Sequence, residues 1–596
     1  MEVDLLVVLA AVVVGYTVVA YLLQARGLLP SSVRLTGPLT TIHTRRGRAL
    51  LDRLAQPRRL WRAWSNAGVG IALVVMGGLF LLLLVQAVSI LSNPPEPTQV
   101  TQPRNFLVIP GVNDFLPLSV APEVVFGLLL GLVVHEGGHG LLCRVENIDI
   151  DSMGLVTLAV VPVGAFVEPS EESQRGADRG ERTRMFAAGV TNNFAVAVVA
   201  FALLFGPVVG AITVAPGVAV ADAFSGTPAD AAGIDQGDRV TAVEGRSVDT
   251  EAELEAALAE TDAATVGVEV DGERTVAVER SVVVVGSVAD NPAGLDFADR
   301  REAVAVTAVN GTPVDTRAEF DRAVADRPVA AITTSEGTRT MPVGAFVQVT
   351  EDGSLAGAGA PTGNAVVTGV DGSRVANSAD LFDALAETEG GDRVSVTLFD
   401  EGDRATYDVT LGTDDDGSGL LGVRVFPGTS GLALDGFGVQ TYPAGTYLEL
   451  LGGDGGPGAG TPVGAGGSIL LPVYVALVLP LASFVLGVPN FPGFTGYWTA
   501  FYDVQGPLGA AGEPAVFLTA NLLFWAAWIN LQLGLFNCIP GYPLDGGRIL
   551  RTSAEAVVSR LPVADRDRVV STITTGVGLT MLASLVLLVF GPDLLN

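Results

Sequence analysis

The 596-residue chain contains no lysine, so all 34 of its basic residues are arginine. It has two cysteines, Cys143 and Cys538, and three histidines, His43, His135 and His139. Two cysteines exclude a disulfide framework and a multi-cysteine zinc ribbon. Acid most outweighs base between Ala211 and Ile469, where 42 Asp and Glu face 14 Arg, giving −28 of the chain's −30. Such a surface has no basic patch to hold phosphates, so no nucleic-acid partner is expected. An acid-rich, lysine-free surface suits a protein working in very high salt, where charge is screened, as in a halophilic archaeon.

Hydrophobic residues make up 49% of the chain and charged residues 16%. Apolar runs of about 20 residues exclude a single soluble globule. Six segments stand out: Leu5–Leu23, Gly68–Leu91, Val124–Cys143, Met185–Val209, Val516–Phe536 and Thr572–Phe590. At about 1.5 Å per residue each is long enough to cross a bilayer. The first lacks the basic start and small-residue cleavage site of a signal peptide and reads as an uncleaved anchor. Arginines crowd the loop after it, from Arg26 to Arg62, and recur from Arg548 to Arg568. Both loops are expected on the cytoplasmic side, leaving the acidic central block outside a multi-pass plasma-membrane protein. Ile469–Val488 is apolar but carries Pro472 and Pro480. A full crossing there would put Arg548–Arg568 on the wrong side, so the segment is expected to dip in and return, or to form a hairpin with Tyr497–Tyr502. Asp151–Pro169 is apolar and β-prone, and is expected to be a re-entrant hairpin whose backbone is covered by protein.

The acidic block repeats itself. Val240–Leu258, Val306–Val324 and Val367–Leu385 each read as a strand, a turn with Gly, a short extended piece and an amphipathic helix. Small α+β domains in tandem are expected, with Gly-rich linkers around Asp414–Gly419 and Gly452–Gly467.

The chemistry-bearing motif is His135-Glu136-Gly137-Gly138-His139, an HExxH inside an apolar run. Spaced i and i+4, the two imidazoles share one helical face and can ligate one Zn²⁺, with Glu136 placed to take a proton from water. Ionisable groups inside a membrane helix are costly and by default functional. A catalytic zinc needs a third protein ligand. His43 lies in the Arg-rich loop and reads as surface, which leaves Glu168, Cys143, Cys538 and Asp545. Asp545 sits in Asn537-Cys-Ile-Pro-Gly-Tyr-Pro-Leu-Asp545-Gly-Gly547, just past a membrane helix and on the same side as His139.

HExxH in one membrane helix, with NxxPxxxxDGG after a later one, resembles the site-2 protease family of intramembrane zinc metalloproteases. Gly164-Ala-Phe166-Val167 is similar to the family's re-entrant strand, with Ala where Gly is usual. Gly189-Val-Thr-Asn-Asn193 is similar to its GPxxN element, with Val190 in place of Pro. The repeats resemble PDZ domains. The resemblance implies one Zn²⁺ held by His135, His139 and Asp545, and Glu136 as the base. It implies a site lined by Asn193, Asn537, Gly164 and Phe166, and membrane-anchored protein substrates. It also implies capture of peptide C-termini by the PDZ-like domains, with Gly217–Phe224 as the groove strand of the first.

The expected fold is a polytopic α-helical membrane protein of about six transmembrane helices plus a re-entrant or hairpin segment, with an extracytoplasmic α+β insert. Its expected divisions are two N-terminal helices with their Arg-rich loop (1–92), the first catalytic part (124–210), and PDZ-like units at 211–285, 286–345 and 346–430. A Gly-rich linker (431–468), the re-entrant segment (469–514) and the second catalytic part (515–596) complete it. Two other readings are weaker. A prenyl-protein-processing HExxH peptidase needs a downstream ExxxD glutamate helix that is missing from the apolar segments. An inactive PDZ scaffold would be expected to have lost a ligand or Glu136.

Overall fold

The computed structural model describes all residues except 1–4, 31, 45, 93–108, 114–115, 160, 262, 296–302, 387, 401–402, 414–416, 456–469, 483–489 and 596. Helix α1 (Leu5–Ala25) precedes a hairpin of β1 (Val33–Thr36) and β2 (Leu39–His43) and a long helix α2 (Arg58–Ser92). Helix α3 (Ala121–Val145) is followed by a second hairpin, β3 (Ile150–Leu158) and β4 (Val161–Pro169), and by α4 (Arg179–Leu203). After the acidic insert come α5 (Leu470–Val478), α6 (Glu513–Asn537), α7 (Asp545–Val558) and α8 (Arg566–Leu595). Among the described residues five helical stretches are long and apolar enough to cross a membrane: Arg58–Ser92, Leu118–Val145, Arg179–Ala211, Glu513–Asn537 and Arg566–Gly591. The described apolar part of α1, Ala11–Ala25, is shorter. The chain is a multi-pass membrane protein with a β-rich insert.

Helices α3, α4 and α6 form the centre of the bundle, and glycines let them approach. In lipid no hydrophobic drive brings helices together, so close backbone contact at small residues does. A Cβ on Gly127 would stand 2.8 Å from Trp525 O, one on Gly138 2.8 Å from Ala188 O, and one on Gly131 2.6 Å from the Leu533 side chain. Gly127, Gly131, His135 and His139 fall every four residues, so the row of glycines that packs on α6 runs on into the histidines.

The Asp151–Pro169 segment is a β-hairpin, as expected, but it is half of a larger sheet. The strand order is β1-β2-β3-β4, all antiparallel, with Ile42 opposite Leu155 and Leu155 opposite Ala165. The segment read as a plain Arg-rich loop thus supplies two strands, and its His43 ring packs edge-on to Phe166 at 5.2 Å between centroids. β4 is left at the edge nearest α3, with the Val167 side chain seated where Gly140 has no Cβ.

Among the described residues three large sheets, beside a small pair of Gly412–Thr413 with Gly419–Leu420, make up the insert, and the three are nested. The first runs 274–279, 265–270, 239–243, 218–223 and then 439–441. The second runs 337–342, 329–334, 304–309, 282–287 and 432–435; the third runs 403–410, 393–400, 363–370, 345–349 and 423–425. The chain opens the units in the order one, two, three and closes them in reverse. The three sequence repeats fall on equivalent pieces. Each has a tight turn with two residues at positive φ, Glu244-Gly245, Asn310-Gly311 or Asp371-Gly372. Glycine meets that demand at the second position and Asn or Asp at the first in two of the three, and such a turn matches the strand twist.

Two expectations are corrected here. Residues 431–468 are not simply a linker, because Leu432–Asp435 and Val439–Thr441 close the second and first sheets and Ala444–Leu450 is helical. Gly217–Phe224 does not offer a free groove strand, because Val218–Ala223 pairs with Arg239–Val243 on one side and Val439–Thr441 on the other. Most of Gly452–Gly467, and 414–416 of Asp414–Gly419, lie outside the described residues. So do 469 and 483–488 of Ile469–Val488. Within the described part, α5 is nine residues long, about 14 Å at 1.5 Å per residue. Phe491 N–H then donates back to Leu479 O at 3.0 Å. Residues 490–504 pack on the start of α6: Asn521 exchanges two hydrogen bonds with Phe494, and Trp525 Nε1 donates to Pro492 O. Tyr502–Val504 pairs with Ile212–Val214 at the foot of the insert.

Candidate metal centre

His135 and His139 project from α3 toward α4 and the start of α7, and Asp545 is the first residue of α7. All three are buried. Asp545 Oδ2 lies 3.1 Å from His135 Nε2 and 3.0 Å from His139 Nε2, and the two nitrogens are 3.2 Å apart. Two donors each about 2.0–2.1 Å from a shared tetrahedral ion stand about 3.3 Å apart. Three converging donors at nearly that spacing fit one small divalent cation with one coordination position left over. Ligand atoms of His135, Glu136 and His139 also lie within 4.8 Å of one another.

The far side of each imidazole prepares its donor nitrogen. His139 Nδ1–H donates to Met185 O at 2.8 Å, which leaves Nε2 with its lone pair facing the triangle. Asn193 Nδ2 lies 3.3 Å from His135 Nδ1, and Asn193 Oδ1 is buried without a partner, so exchanging the two amide atoms satisfies both groups. With the amide oxygen turned to Nδ1–H, Asn193 accepts, and His135 Nε2 is likewise freed.

Local sequence explains the placement of Asp545. The loop 538–541 folds back over the first turn of α7. A Cβ on Gly546 would stand 2.4 Å from Ile539 O, and one on Gly547 2.6 Å from Gly541 C. Only glycine fits at either position, which is the physical content of the Asp-Gly-Gly run. α7 is then held to α4 by Arg182 on Glu555 (3.0 Å) and by Thr183 on Thr552 (2.8 Å).

Of the other sequence candidates, Asn537 turns its amide nitrogen back onto Leu533 O at 3.0 Å. Glu168 accepts from Ser152 Oγ on the hairpin. Cys143 and Cys538 are buried, and the Cys143 thiol donates to Met185 Sδ. Gly164 and Phe166 lie half-buried on β4.

Sequence reading missed three participants. Gly189 of α4 backs directly onto the imidazoles: a Cβ there would stand 2.7 Å from His139 Nε2 and 2.8 Å from His135 Nε2. Val167 N–H donates to Glu136 Oε2 at 2.9 Å. Glu146, just past the end of α3, is buried between Arg62 and Arg184. Burial pushes its carboxyl up, and the two guanidiniums outweigh that and hold it below the usual range. Gly189 and Val167 were within quoted motifs, though neither was singled out; Glu146 carries no local signature.

The chain matches the model of peptidase family M50 over residues 123–583, and it belongs to that family. Its metal is accordingly Zn²⁺, which the donor set fits. It is 36% identical over 77 residues to the putative zinc metalloprotease Rip3 of Mycobacterium tuberculosis, covering 12% of this chain and 19% of that protein. It is 35% identical over 77 residues to zinc metalloprotease MJ0392 of Methanocaldococcus jannaschii, covering 13% and 18%. A third relative, the uncharacterized protein MJ0971 of the same organism, is 28% identical over 165 residues, covering 27% and 42%. The matches thus span less than half the length of each of these curated relatives.

Proposed function

We propose that the protein is a zinc-dependent intramembrane endopeptidase that cleaves transmembrane segments of membrane-anchored proteins. The observation that carries this is the convergence of His135 Nε2, His139 Nε2 and Asp545 Oδ2 within 3.2 Å of one another inside the helix bundle, with Glu136 alongside. When bound by these three side chains, Zn²⁺ supplies Lewis acidity, drawing charge from a peptide carbonyl and acidifying water. Glu136 takes the proton as water oxygen bonds to the carbonyl carbon. It returns that proton to the leaving nitrogen as the C–N bond breaks. Asn193 and Met185 O hold the imidazoles in register. A helical substrate hides its carbonyls in its own hydrogen bonds, so it unwinds locally and adds as a strand to the β4 edge, past Gly164 and Phe166.

The nested PDZ-like units gate access or recognise substrate from outside the cell, including its peptide C-termini. Tyr497 Cβ lies 3.0 Å from the Cβ position of Gly237, so the first unit rests on the aromatic ledge above α6. Arg62, Arg144, Arg182 and Arg184 gather at the His139 end of the bundle, which favours a cytoplasmic active site in the plasma membrane.

Zinc content and cleavage of a single-span substrate, measured in detergent at high salt, test the reading. Wild type is expected to hold about one zinc and to cut. Glu136→Gln is expected to keep zinc and lose activity, and Asp545→Ala to lose both. A wild type that binds no zinc overturns the proposal; an active Asp545→Ala overturns the ligand set.

A further inference from the structure

Glu136 Oε2 accepts the backbone N–H of Val167, and Val167 lies on β4, an edge strand. In an antiparallel sheet, alternate residues turn both backbone polar groups toward a neighbour or both away from it. Val167 stands opposite Met153, whose carbonyl points the other way and accepts Thr44 N–H at 3.0 Å. Val167 and Met153 are therefore a non-hydrogen-bonded pair, and the N–H and C=O of Val167 belong to the free edge. Ala165, two residues earlier and opposite Leu155, has the same orientation. The edge thus offers Ala165 complete, with donor and acceptor both open, whereas the donor at Val167 is already held by Glu136.

An extended chain added to β4 meets these two rungs differently. At Ala165 it can exchange a full pair of hydrogen bonds. At Val167 the carbonyl that would accept the N–H finds the donor taken. We infer that Glu136, by holding Val167 N–H, vacates one rung of the β4 edge, so that the substrate carbonyl arriving there is unpaired beside the base and is the one attacked. Ala165 is the anchoring rung that sets the register, and Val167 N–H is a positioning group acting through Glu136. The inference rests on the peptidase reading above and adds a rule for the cleaved bond. The attacked carbonyl lies a fixed step from the residue paired with Ala165, whatever its side chain.

The test is the split between kcat and KM on a single-span substrate, with zinc content, thermal unfolding and the cleavage position (by mass spectrometry) for each variant. Val167→Pro deletes an N–H that no ladder bond uses, which an edge strand tolerates, and it leaves Phe166 in the extended region that a following proline requires. Its kcat is expected to fall about 10- to 100-fold with KM nearly constant, zinc retained and the cut unmoved. Ala165→Pro removes the anchoring donor. Its KM is expected to rise about tenfold, more than kcat changes, and its cuts to spread to neighbouring bonds. A Val167→Pro protein with raised KM and intact kcat overturns the inference, because the N–H would then bind substrate itself. So does one that matches wild type, which leaves the peptidase reading standing. If Val167→Pro loses zinc or unfolds early, the α-hydroxy analogue of valine at position 167, which replaces only the N–H by oxygen, decides by the same split. A wild type that does not cleave fails the parent reading and the inference with it.

Discussion

Arg184 Nε lies 2.6 Å from Glu146 Oε1, and this pair fixes the end of the helix that carries both histidines. Arg62 closes on the other carboxylate oxygen at 2.7 Å, so α2, α3 and α4 meet on one buried carboxylate. Only the carboxylate is buried and Arg62 reaches solvent, so the loss is that of charge-assisted hydrogen bonds, about 1.5–3 kcal/mol. Glu146→Gln is expected to destabilise by about that much at neutral pH. The folded carboxyl is held below its unfolded value, so this stability is present above the unfolded value near pH 4.3 and is lost as pH falls through the folded one. Thermal unfolding of both proteins from pH 7 downward should show the difference shrinking; a constant gap would deny the ion pair its role.

Gly189 leaves the space that the imidazoles fill. Gly189→Ala puts a methyl group within 2.7–2.8 Å of both donor nitrogens, against a rigid helix backbone. Metal affinity is expected to fall at least about tenfold, by analogy with lost support around ligands. Zinc competition against a chelator measures it; wild-type affinity in Gly189→Ala would mean that the two rings move aside freely.

Asn193 supports His135 as an acceptor, so acceptor chemistry is what a replacement must keep. Asn193→Leu is expected to weaken zinc binding by about 10- to 100-fold, whereas Asn193→Asp, still an acceptor for Nδ1–H, should lose much less. Equal losses in the two variants would show that volume, not the hydrogen bond, matters at this position.

These relationships also show where the sequence speaks. His135, Glu136 and His139 are legible because a helix converts a spacing of four into one face, and Asp545 because Asp-Gly-Gly follows a broken helix end. The repeats are legible because Glu-Gly, Asn-Gly and Asp-Gly turns recur before helices. The closing strands Leu432–Asp435 and Val439–Thr441 are not, since strands of three or four residues show no period and pair with partners 145 to 221 positions away. β1 and β2 hide in an Arg-rich segment for the same reason. Val167 falls inside the quoted Gly164–Val167 strand, but its role is not legible there, because the group at work is a backbone N–H.

Asp435 lies where the chain passes from the second unit to the first, and its carboxylate accepts the backbone N–H groups of Phe437, Gly438 and Val439. Those bonds shape the turn that delivers Val439–Thr441 to the first sheet. Burial pushes the carboxyl above its usual value, and the three N–H groups only partly counter this. The sign is therefore opposite to that at Glu146. Between the unfolded value near pH 3.9 and the raised folded value the native state holds the extra proton, so stability falls as pH rises through that window and is level above it. Asp435→Asn keeps an acceptor and carries no charge to desolvate, so it should match or exceed wild-type stability at neutral pH and lose its advantage in acid. Asp435→Ala leaves three donors without their partner and should cost about 1–3 kcal/mol at any pH. Hydrogen exchange at Val439–Thr441 and thermal unfolding across pH 4–7 measure both. An Asp435→Asn protein as unstable as Asp435→Ala would mean that the charge itself, not its acceptor geometry, holds the first unit closed.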